Sequence, residues 1–238
     1  MPRPCSAVSK HEPRFRSLLV SLFNSSALLQ GSVVDTGAHS GGESCFFASL
    51  DARRIVHAIE PLPRHQADLL QYSREHQSIQ PFAGALGAVP RLLELTGAVR
   101  GSMLKSSHLQ GNASKTSTTS VQVHRLDDLF TQKWPSEKLA FAHIDVEGSE
   151  DDVIAGATTV IGRDRPVFTV ESMLKDSVAH ARLLSSVHAM GYQALLVPEQ
   201  CGRSPDCRNF ICVPNERIGL LPEGIAILKH AQSGSMLA

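Results

Sequence analysis

Short apolar runs alternate with stretches of helical period along most of this chain, and this alternation limits the fold more than any other feature. The stretches between the runs predict helices over residues 43–50, 63–76, 149–162 and 178–190. Strands that alternate with helices are typical of βαβ units around a parallel sheet. We therefore expect an α/β fold of about seven strands, mostly parallel, that ends in an antiparallel hairpin. The predicted strands are residues 32–35, 54–60, 79–85, 121–123, 140–147, 166–171, 193–197 and 209–213.

The length and the termini predict one domain with short extensions. A chain of 238 residues can bury one substantial core. We expect an N-terminal extension and helix over residues 1–30, the main domain over 31–216 and a tail over 217–238. The N-terminus is either an organelle transit peptide or a frayed end before an amphipathic helix over residues 14–29, and we favour the helix. Residues 101–120 are polar, and this predicts a loop that is either a lid or a tolerated insertion.

The charge balance limits the class of partner. Lys and Arg together number 23, as do Asp and Glu, so no net field draws the chain toward nucleic acid or an anionic membrane. No apolar run approaches the roughly 20 residues that span a bilayer. We therefore expect no nucleic-acid partner and no membrane span, and a small-molecule substrate instead. The sequence does not decide between a monomer and a homodimer.

The chain has five cysteines. This number is odd and small for a chain of this length, so it does not predict a disulfide framework. Cys201, Cys207 and Cys212 lack a CxxC pair and an obvious fourth ligand, so we expect no metal site there. Free thiols in a reducing compartment are the favoured interpretation, and this favours a cytoplasmic location.

The first strand leads into a glycine turn, residues 35–42, with the sequence DTGAHSGG. Glycines without a Cβ let the backbone approach a ligand closely. The spacing is GxxxGG and not the GxGxxG of dinucleotide sites. Asp35 stands two residues before the first glycine, where a carboxylate suits a ligand that carries an ammonium. A purely structural turn would have a similar sequence.

Acids stand at or near the ends of the other predicted strands, where open parallel sheets bind ligands. Glu60 ends the second strand and suits the hydroxyls of a ribose. His143, Asp145 and Glu147 alternate along one predicted strand, which places their side chains on one face. Glu171 ends the next strand, and two close carboxylates would raise one pKa, as a general base requires.

Seven motifs follow one another along residues 30–175: 33–41 VVDTGAHSG, 59–61 IEP, 85–87 ALG, 126–129 LDDL, 144–150 IDVEGSE, 156–157 GA and 166–171 PVFTVE. Together, and in this order, they resemble the motifs of the FkbM-type methyltransferases. The IDVEGSE segment is far more specific than a glycine turn. His143 departs from the family pattern, which commonly has Lys there, and His39 replaces a common Asn. These exchanges leave the donor site intact but put the acceptor and the proton transfer in doubt.

The resemblance implies a seven-stranded Rossmann-like class I methyltransferase fold, S-adenosylmethionine as the methyl donor and a hydroxyl oxygen as the usual acceptor. No metal ligand is predicted. The catalytic candidates are Glu147 and Glu171 as the base, with His143 as a second choice. The implied donor-binding residues are Asp35, Gly37, Ala38 and Gly41 at the methionine end, Glu60 with Pro61 at the ribose, Gly84, Ala85 and Leu86 at the adenine, and Asp145 beside the sulfonium.

Three other functions stay open beside an O-methyltransferase with a small-molecule, sugar or lipid-linked acceptor. The chain could bind the donor without transfer and act through a partner. A metal could assist the transfer through Asp145 and Glu147, because hard cations favour carboxylate oxygens. An NAD-dependent oxidoreductase is disfavoured by the missing GxGxxG.

Overall fold

A computed structural model describes residues 12–25, 27–96, 118–201 and 205–228. These residues form strands and helices that follow the alternation predicted from the sequence. The strands are β1 (Ser32–Thr36), β2 (Val56–Glu60), β3 (Ile79–Ala83), β4 (Ala85–Leu86), β5 (Arg91–Thr96), β6 (Thr118–His124), β7 (Leu139–Ile144), β8 (Val167–Met173), β9 (Tyr192–Gln200) and β10 (Cys207–Pro214). The helices are α1 (Pro13–Phe23), α2 (Gly42–Leu50), α3 (Pro63–Glu75), α4 (Leu126–Asp128), α5 (Glu150–Ala155), α6 (Thr158–Asp164), α7 (Ser177–Ala189) and α8 (Glu223–Ala226).

Seven of the strands form one sheet in the order β3-β2-β1-β7-β8-β10-β9. The pairs β2–β3, β1–β2, β1–β7 and β7–β8 are parallel. β10 is antiparallel to both β8 and β9. The predicted α/β sheet with an antiparallel C-terminal hairpin is therefore confirmed.

Successive residues of the central strands face opposite layers of helices. Val33 and Phe141 belong to the core cluster that also contains buried residues of α1 and α2. Their neighbours Val34 and Ala142 belong to the cluster that contains buried residues of α5, α6 and α7. The two faces of the sheet are thus both covered, as the apolar character of the central strands requires. The carboxyl ends of β1, β2 and β7 lie at one edge, which is where the site forms.

The other three strands form a second sheet in the order β4-β6-β5. The predicted strands at 121–123 and 79–85 are both present, but they differ in detail from the prediction. The apolar run at 121–123 belongs to this small sheet and not to the main one. The run at 79–85 is interrupted at Gly84, because Ala85 and Leu86 pair with Val123 and His124 and no longer follow β2.

The predicted helix over residues 149–162 is wrong as a single element, because it is divided at Gly156 into α5 and α6. A Cβ on Gly156 would lie 2.1 Å from the carbonyl oxygen of Gly87, and the carbonyl of Gly156 accepts the N–H of Asp127 at 3.0 Å. The first helix ends at Phe23 and not at residue 29.

The predicted polar loop 101–120 lies outside the described residues except for its last three, which belong to β6. The transit-peptide alternative rests on the composition of the N-terminus, of which the first eleven residues also lie outside the described ones. Part of the predicted tail is ordered, because Ile225 of α8 is buried in the same core cluster as Leu18 of α1. Within the described ranges, no helix has both the length and the apolar character that a membrane crossing requires.

The prediction of free thiols is wrong for Cys201 and Cys207, which form a disulfide. They flank the turn between β9 and β10, so the hairpin brings their Cα atoms to 5.1 Å. Cys45 is also disulfide-bonded, whereas Cys212 is free and buried. Stable disulfides are rare in reducing compartments, so the cysteines no longer favour a cytoplasmic location.

Candidate active site

The loop after β1 holds the glycine turn, and its backbone is left-handed at three positions. Gly37, His39 and Gly41 have φ angles of 83°, 48° and 90°. A Cβ on Gly37 would lie 1.7 Å from the carbonyl oxygen of Asp145, so only glycine fits there. The N–H groups of Gly37 and Ala38 both donate to the carbonyl of Ile59, at 3.0 and 3.1 Å. The turn is therefore fixed between the ends of β2 and β7.

Asp35 lies behind this turn and not in the open cavity beside it. Its side chain is 1% exposed and accepts a hydrogen bond from the Ser44 hydroxyl of α2. Burial raises the pKa of Asp35 to about 8, although the bond from Ser44 opposes the shift. Ala38 is equally buried, and Gly41 precedes α2 against Leu69. Of the four residues predicted at the methionine end, Gly37 is the one that lines the cavity.

Glu60 lies at the end of β2 and is 1% exposed. Its Oε2 accepts the N–H of His39 at 2.9 Å, and its Oε1 accepts the N–H of Leu62 at 2.8 Å. Burial raises its pKa, against the effect of those two bonds. The rings of His39 and His65 pack beside it with their centroids 3.6 Å apart. Pro61 follows and is buried.

The three residues predicted near the adenine follow β3 at the same edge. The N–H of Gly84 donates to the carbonyl of Glu60 at 3.3 Å, which connects this segment to the ribose candidate. Ala85 and Leu86 are 2% and 3% exposed, and Leu86 packs in the main core. A Cβ on Gly84 would lie 3.0 Å from the His124 ring. The segment is closely packed on the side of the second sheet.

A cavity of about 280 Å³ lies between α1, α2 and the carboxyl ends of β7 and β8. Gly37 and His143 line it, and Arg16 of α1 supplies a cation whose guanidinium lies 4.3 Å from the centre of the Phe46 ring. Its acidic lining favours a ligand that carries positive charge. The carboxylates that line it are those of Glu12, Glu43, Asp145, Glu147 and Glu171.

The prediction that His143, Asp145 and Glu147 alternate along one strand is wrong. β7 ends at Ile144, and Glu147 and Gly148 have φ angles of 57° and 100°, so a turn follows the strand. The three side chains nevertheless line the same cavity. They meet there because the turn folds back at the sheet edge.

The Asp145 and Glu171 carboxyl groups are hydrogen-bonded to each other. Burial and the adjacent Glu171 charge raise the pKa of Asp145 well above its usual range, and burial also raises that of Glu171. Two carboxyl groups in such contact share a proton. Glu171 is therefore adjacent to Asp145 in the cavity wall, whereas Glu147 is exposed. The sulfur of Cys207 lies against Glu171 Oε1.

His143 is buried, and its Nδ1 lies 2.8 Å from the hydroxyl of Thr169 on β8. Its ring packs beside those of Phe15 and Phe47. Burial lowers the pKa of His143 to about 4, so the imidazole is neutral at neutral pH. It can accept or donate a hydrogen bond there but carries no charge.

Sequence reasoning missed the contribution of α1. Glu199 of β9 accepts the N–H groups of Arg14 and Phe15 at 3.1 and 2.8 Å, which holds the start of α1 over the sheet. Glu12 accepts a bond from the Asn209 amide at 2.9 Å, and burial raises its pKa to about 7. The amphipathic pattern predicted a helix in this segment, but no local signal placed it beside β10.

One group among the described residues has three possible metal-ligand atoms close enough together to bind an ion. These atoms belong to Glu171, Cys201 and Cys207 and lie within 4.8 Å of one another. Its two sulfurs are joined in the disulfide. Metals bind cysteine as the thiolate, so this bond removes two of the three ligands.

Comparison with known proteins agrees with this geometry. A family model described as "Methyltransferase FkbM domain" matches residues 35–194. No curated protein sequence matches the chain significantly. Three solved structures share the fold. Methyltransferase FkbM from Methylobacillus flagellatus is 18% identical, with a TM-score of 0.52 over 78% of this chain and 45% of its own, so this chain spans less than half of that protein.

The other two structures are matched over most of their length. Cofactor-bound Rv0187 from MTB is 16% identical, with a TM-score of 0.52 over 89% of this chain and 83% of its own. A protein from Klebsiella pneumoniae that is assigned as an O-methyltransferase is 12% identical, with a TM-score of 0.51 over the same shares. Likeness at these identities shows a common Rossmann-like methyltransferase fold. The family match covers two thirds of the sequence, and the chain belongs to the FkbM methyltransferase family.

Proposed function

We propose that the protein transfers a methyl group from S-adenosylmethionine to a hydroxyl oxygen of a small-molecule, sugar or lipid-linked acceptor. The observation that carries this proposal is the contact between the glycine turn and the end of β7. Gly37 touches the Asp145 carbonyl at the edge of a cavity lined by five carboxylates. Family membership supports methyl transfer as the reaction class.

The residues present fit this donor. The donor carries a sulfonium and an ammonium, and the carboxylates around the cavity complement both charges. Asp145 Oδ1 is buried and has no hydrogen-bond partner among the described residues, so it is available to a ligand. Because Gly37 has no side chain, the turn packs against the Asp145 carbonyl at the edge of the cavity. Rv0187, which shares the fold, was solved with a cofactor bound, and this supports a cofactor in the present protein.

The donor residues are assigned by their places along the sheet edge. Gly37 would contact the methionine end directly, and Asp35, Ala38 and Gly41 would hold the turn in shape from behind. Glu60 would bind the ribose, with Pro61 directing the chain away from it. Gly84, Ala85 and Leu86 would bound the adenine side. Asp145 would lie beside the sulfonium.

The donor supplies an electrophilic methyl carbon, so the chain must align an acceptor oxygen with it and accept a proton. Glu171 suits the second task. Its raised pKa makes its ionised form a stronger base, and the proton would pass from the acceptor hydroxyl to the Glu171 carboxylate. Glu147, at the mouth of the cavity, is the second candidate for the base. Neutral His143 can orient the acceptor by a hydrogen bond.

Calorimetric titration with S-adenosylhomocysteine tests the donor site. Wild type should bind in the micromolar range, and Glu60→Ala should bind at least tenfold more weakly because one carboxylate–hydroxyl bond is lost. Glu216→Ala is the matched control, since Glu216 pairs with Arg165 on the surface. Absence of binding by folded wild type would refute the donor assignment.

Transfer itself is tested with methyl-labelled S-adenosylmethionine and pools of hydroxylated acceptors. We expect label in product with wild type and a loss of at least a hundredfold with Glu171→Gln. Donor binding without transfer to any pool would favour a catalytically silent binding protein. Loss of transfer with a chelator would favour the metal-assisted variant.

A further inference from the structure

The first turn of α3 places the imidazole of His65 beside the ribose candidate Glu60. The His65 side chain is 11% exposed, and its Nδ1 is buried without a hydrogen-bond partner among the described residues. A buried polar nitrogen with no partner is uncommon in a folded protein and needs an explanation. No role follows for it from the reaction described above.

The position of the proton on His65 follows from its other nitrogen. The Nε of Arg64 lies 2.8 Å from His65 Nε2, and a guanidinium can only donate. Nε2 is therefore the acceptor, and the proton of the neutral ring is on Nδ1. Burial and the adjacent His39 and Arg64 lower the pKa of His65 to about 4, which keeps the ring neutral. Nδ1 is thus an unused donor.

The distance to Glu60 is the second observation. His65 Nδ1 lies 3.9 Å from Glu60 Oε1, which is too far for a direct hydrogen bond. An oxygen placed about 2.8 Å from both atoms would join them at an angle of about 90°. Such an oxygen would accept from Nδ1 and donate to the carboxylate. A hydroxyl group does both at once.

Glu60 has the capacity for this additional bond. Each of its oxygens accepts one backbone N–H, from His39 and from Leu62. An ionised carboxylate offers about four acceptor positions, so each oxygen keeps one. The His39 ring is exposed and packs on His65, so its displacement would give a ligand access to the pair.

We propose that His65 is a donor-binding residue, whose Nδ1–H donates to the same ribose hydroxyl that donates to Glu60 Oε1. This inference rests on the proposed function, since it requires an adenosine ribose at this edge. His65 and Glu60 then recognise one hydroxyl from two sides. Removal of either the hydroxyl or the imidazole donor removes the same interaction.

The test is a double-mutant cycle in which one change is made in the protein and the other in the ligand. Affinities are measured by calorimetric titration. The probes are S-adenosylhomocysteine and its 2′-deoxy and 3′-deoxy analogues, and the variants are His65→Phe, His65→Gln and His39→Phe. His65→Phe should weaken the binding of S-adenosylhomocysteine about tenfold, because one hydrogen bond is lost. The same variant should weaken the binding of one of the two deoxy analogues by less than about twofold, since that analogue already lacks the shared hydroxyl.

The other variants separate a hydrogen bond from a change in packing. His65→Gln keeps an N–H donor and should retain part of the preference for the hydroxylated ligand. His39→Phe changes the adjacent ring and should retain the full preference. A His65→Phe variant that weakens all three ligands equally, or none, would overturn the inference. Absence of binding by wild type would instead refute the proposed function, and the role of His65 with it.

Discussion

Glu150 Oε1 accepts the backbone N–H of Gly148 at 2.9 Å and thereby closes the turn that follows β7. The same oxygen also accepts the N–H of Val146 at 3.3 Å. Between these two residues lies Glu147, with its left-handed backbone. The Glu150 side chain, which is only 8% exposed, thus holds the segment that carries Asp145 and Glu147 into the cavity.

Replacement of Glu150 should therefore affect both stability and the site. Glu150→Ala leaves two N–H groups without this acceptor, and we expect the free energy of unfolding to fall by about 1–3 kcal/mol. Glu150→Gln keeps an acceptor oxygen and should lose less. Urea unfolding measures the first effect, and S-adenosylhomocysteine titration measures the displacement of the turn. Equal losses in the two variants would show that the acceptor oxygen is unimportant.

Gly37 should tolerate no side chain, in contrast to a glycine elsewhere in the fold. Gly37→Ala would place a Cβ 1.7 Å from a backbone oxygen at a φ of 83°, so we expect a loss of more than about 3 kcal/mol. Gly162 lies in α6 with nothing within 4 Å of such a Cβ. Gly162→Ala should stabilise by about 0.5–1 kcal/mol, since alanine favours a helix. Thermal and urea unfolding of both variants measures the contrast, and similar behaviour would contradict the predicted contact.

The sequence predicted the sheet and the strand-end acids because both follow from local pattern. Apolar runs and helical periods are local, and carboxyl ends of parallel strands necessarily meet at one edge. Glu60 and Glu171 were therefore predicted in the right strands. The division of the predicted helix at Gly156 was not predicted, because its cause is a backbone contact with Gly87, far away in the sequence.

The remaining parts of the site come from contacts between distant segments. Glu12 and Asn209 are 197 residues apart, and their bond exists because α1 crosses to β10. Cys201 and Cys207 gave no signal by spacing alone, since only the hairpin register sets their distance. The proton shared by Asp145 and Glu171 likewise depends on where the turn after β7 ends. None of these relations has a local sequence pattern.

The disulfide between Cys201 and Cys207 should contribute modestly to stability. It closes a loop of sequence separation six, and the chain-entropy relation gives about 2 kcal/mol for such a loop. Without reductant, Cys201→Ala/Cys207→Ala should unfold more easily than wild type by that amount in urea. Trypsin cleavage after Arg203 separates the two cysteines, so unreduced wild type should yield two linked peptides. Unlinked peptides in mass spectrometry would contradict the bond.

The acidic cavity should distinguish the donor from its product by charge. S-adenosylmethionine carries one positive charge more than S-adenosylhomocysteine, and a nearby carboxylate is worth about tenfold in affinity. Because the Asp145 and Glu171 pKa values are raised, the preference for the sulfonium should grow as the pH rises. Asp145→Asn should weaken this dependence on pH, because the proton that the pair can lose is replaced by a fixed amide, whereas the control Asp51→Asn should not. A preference independent of pH and of Asp145 would contradict this account.

Asp35 should make the protein less stable as the pH rises. Burial raises the pKa of Asp35 from 3.8 to about 8, so the folded state binds a proton that the unfolded state has already lost. The stability from this group is complete below pH 3.8 and disappears as the pH rises through 8. Asp35→Asn cannot ionise and keeps an acceptor for Ser44. Between pH 6.5 and 8.5, where histidines with lowered pKa no longer contribute, wild type should lose more free energy of unfolding than the variant. Urea unfolding at both pH values measures this, and parallel losses would show that Asp35 does not take up the proton.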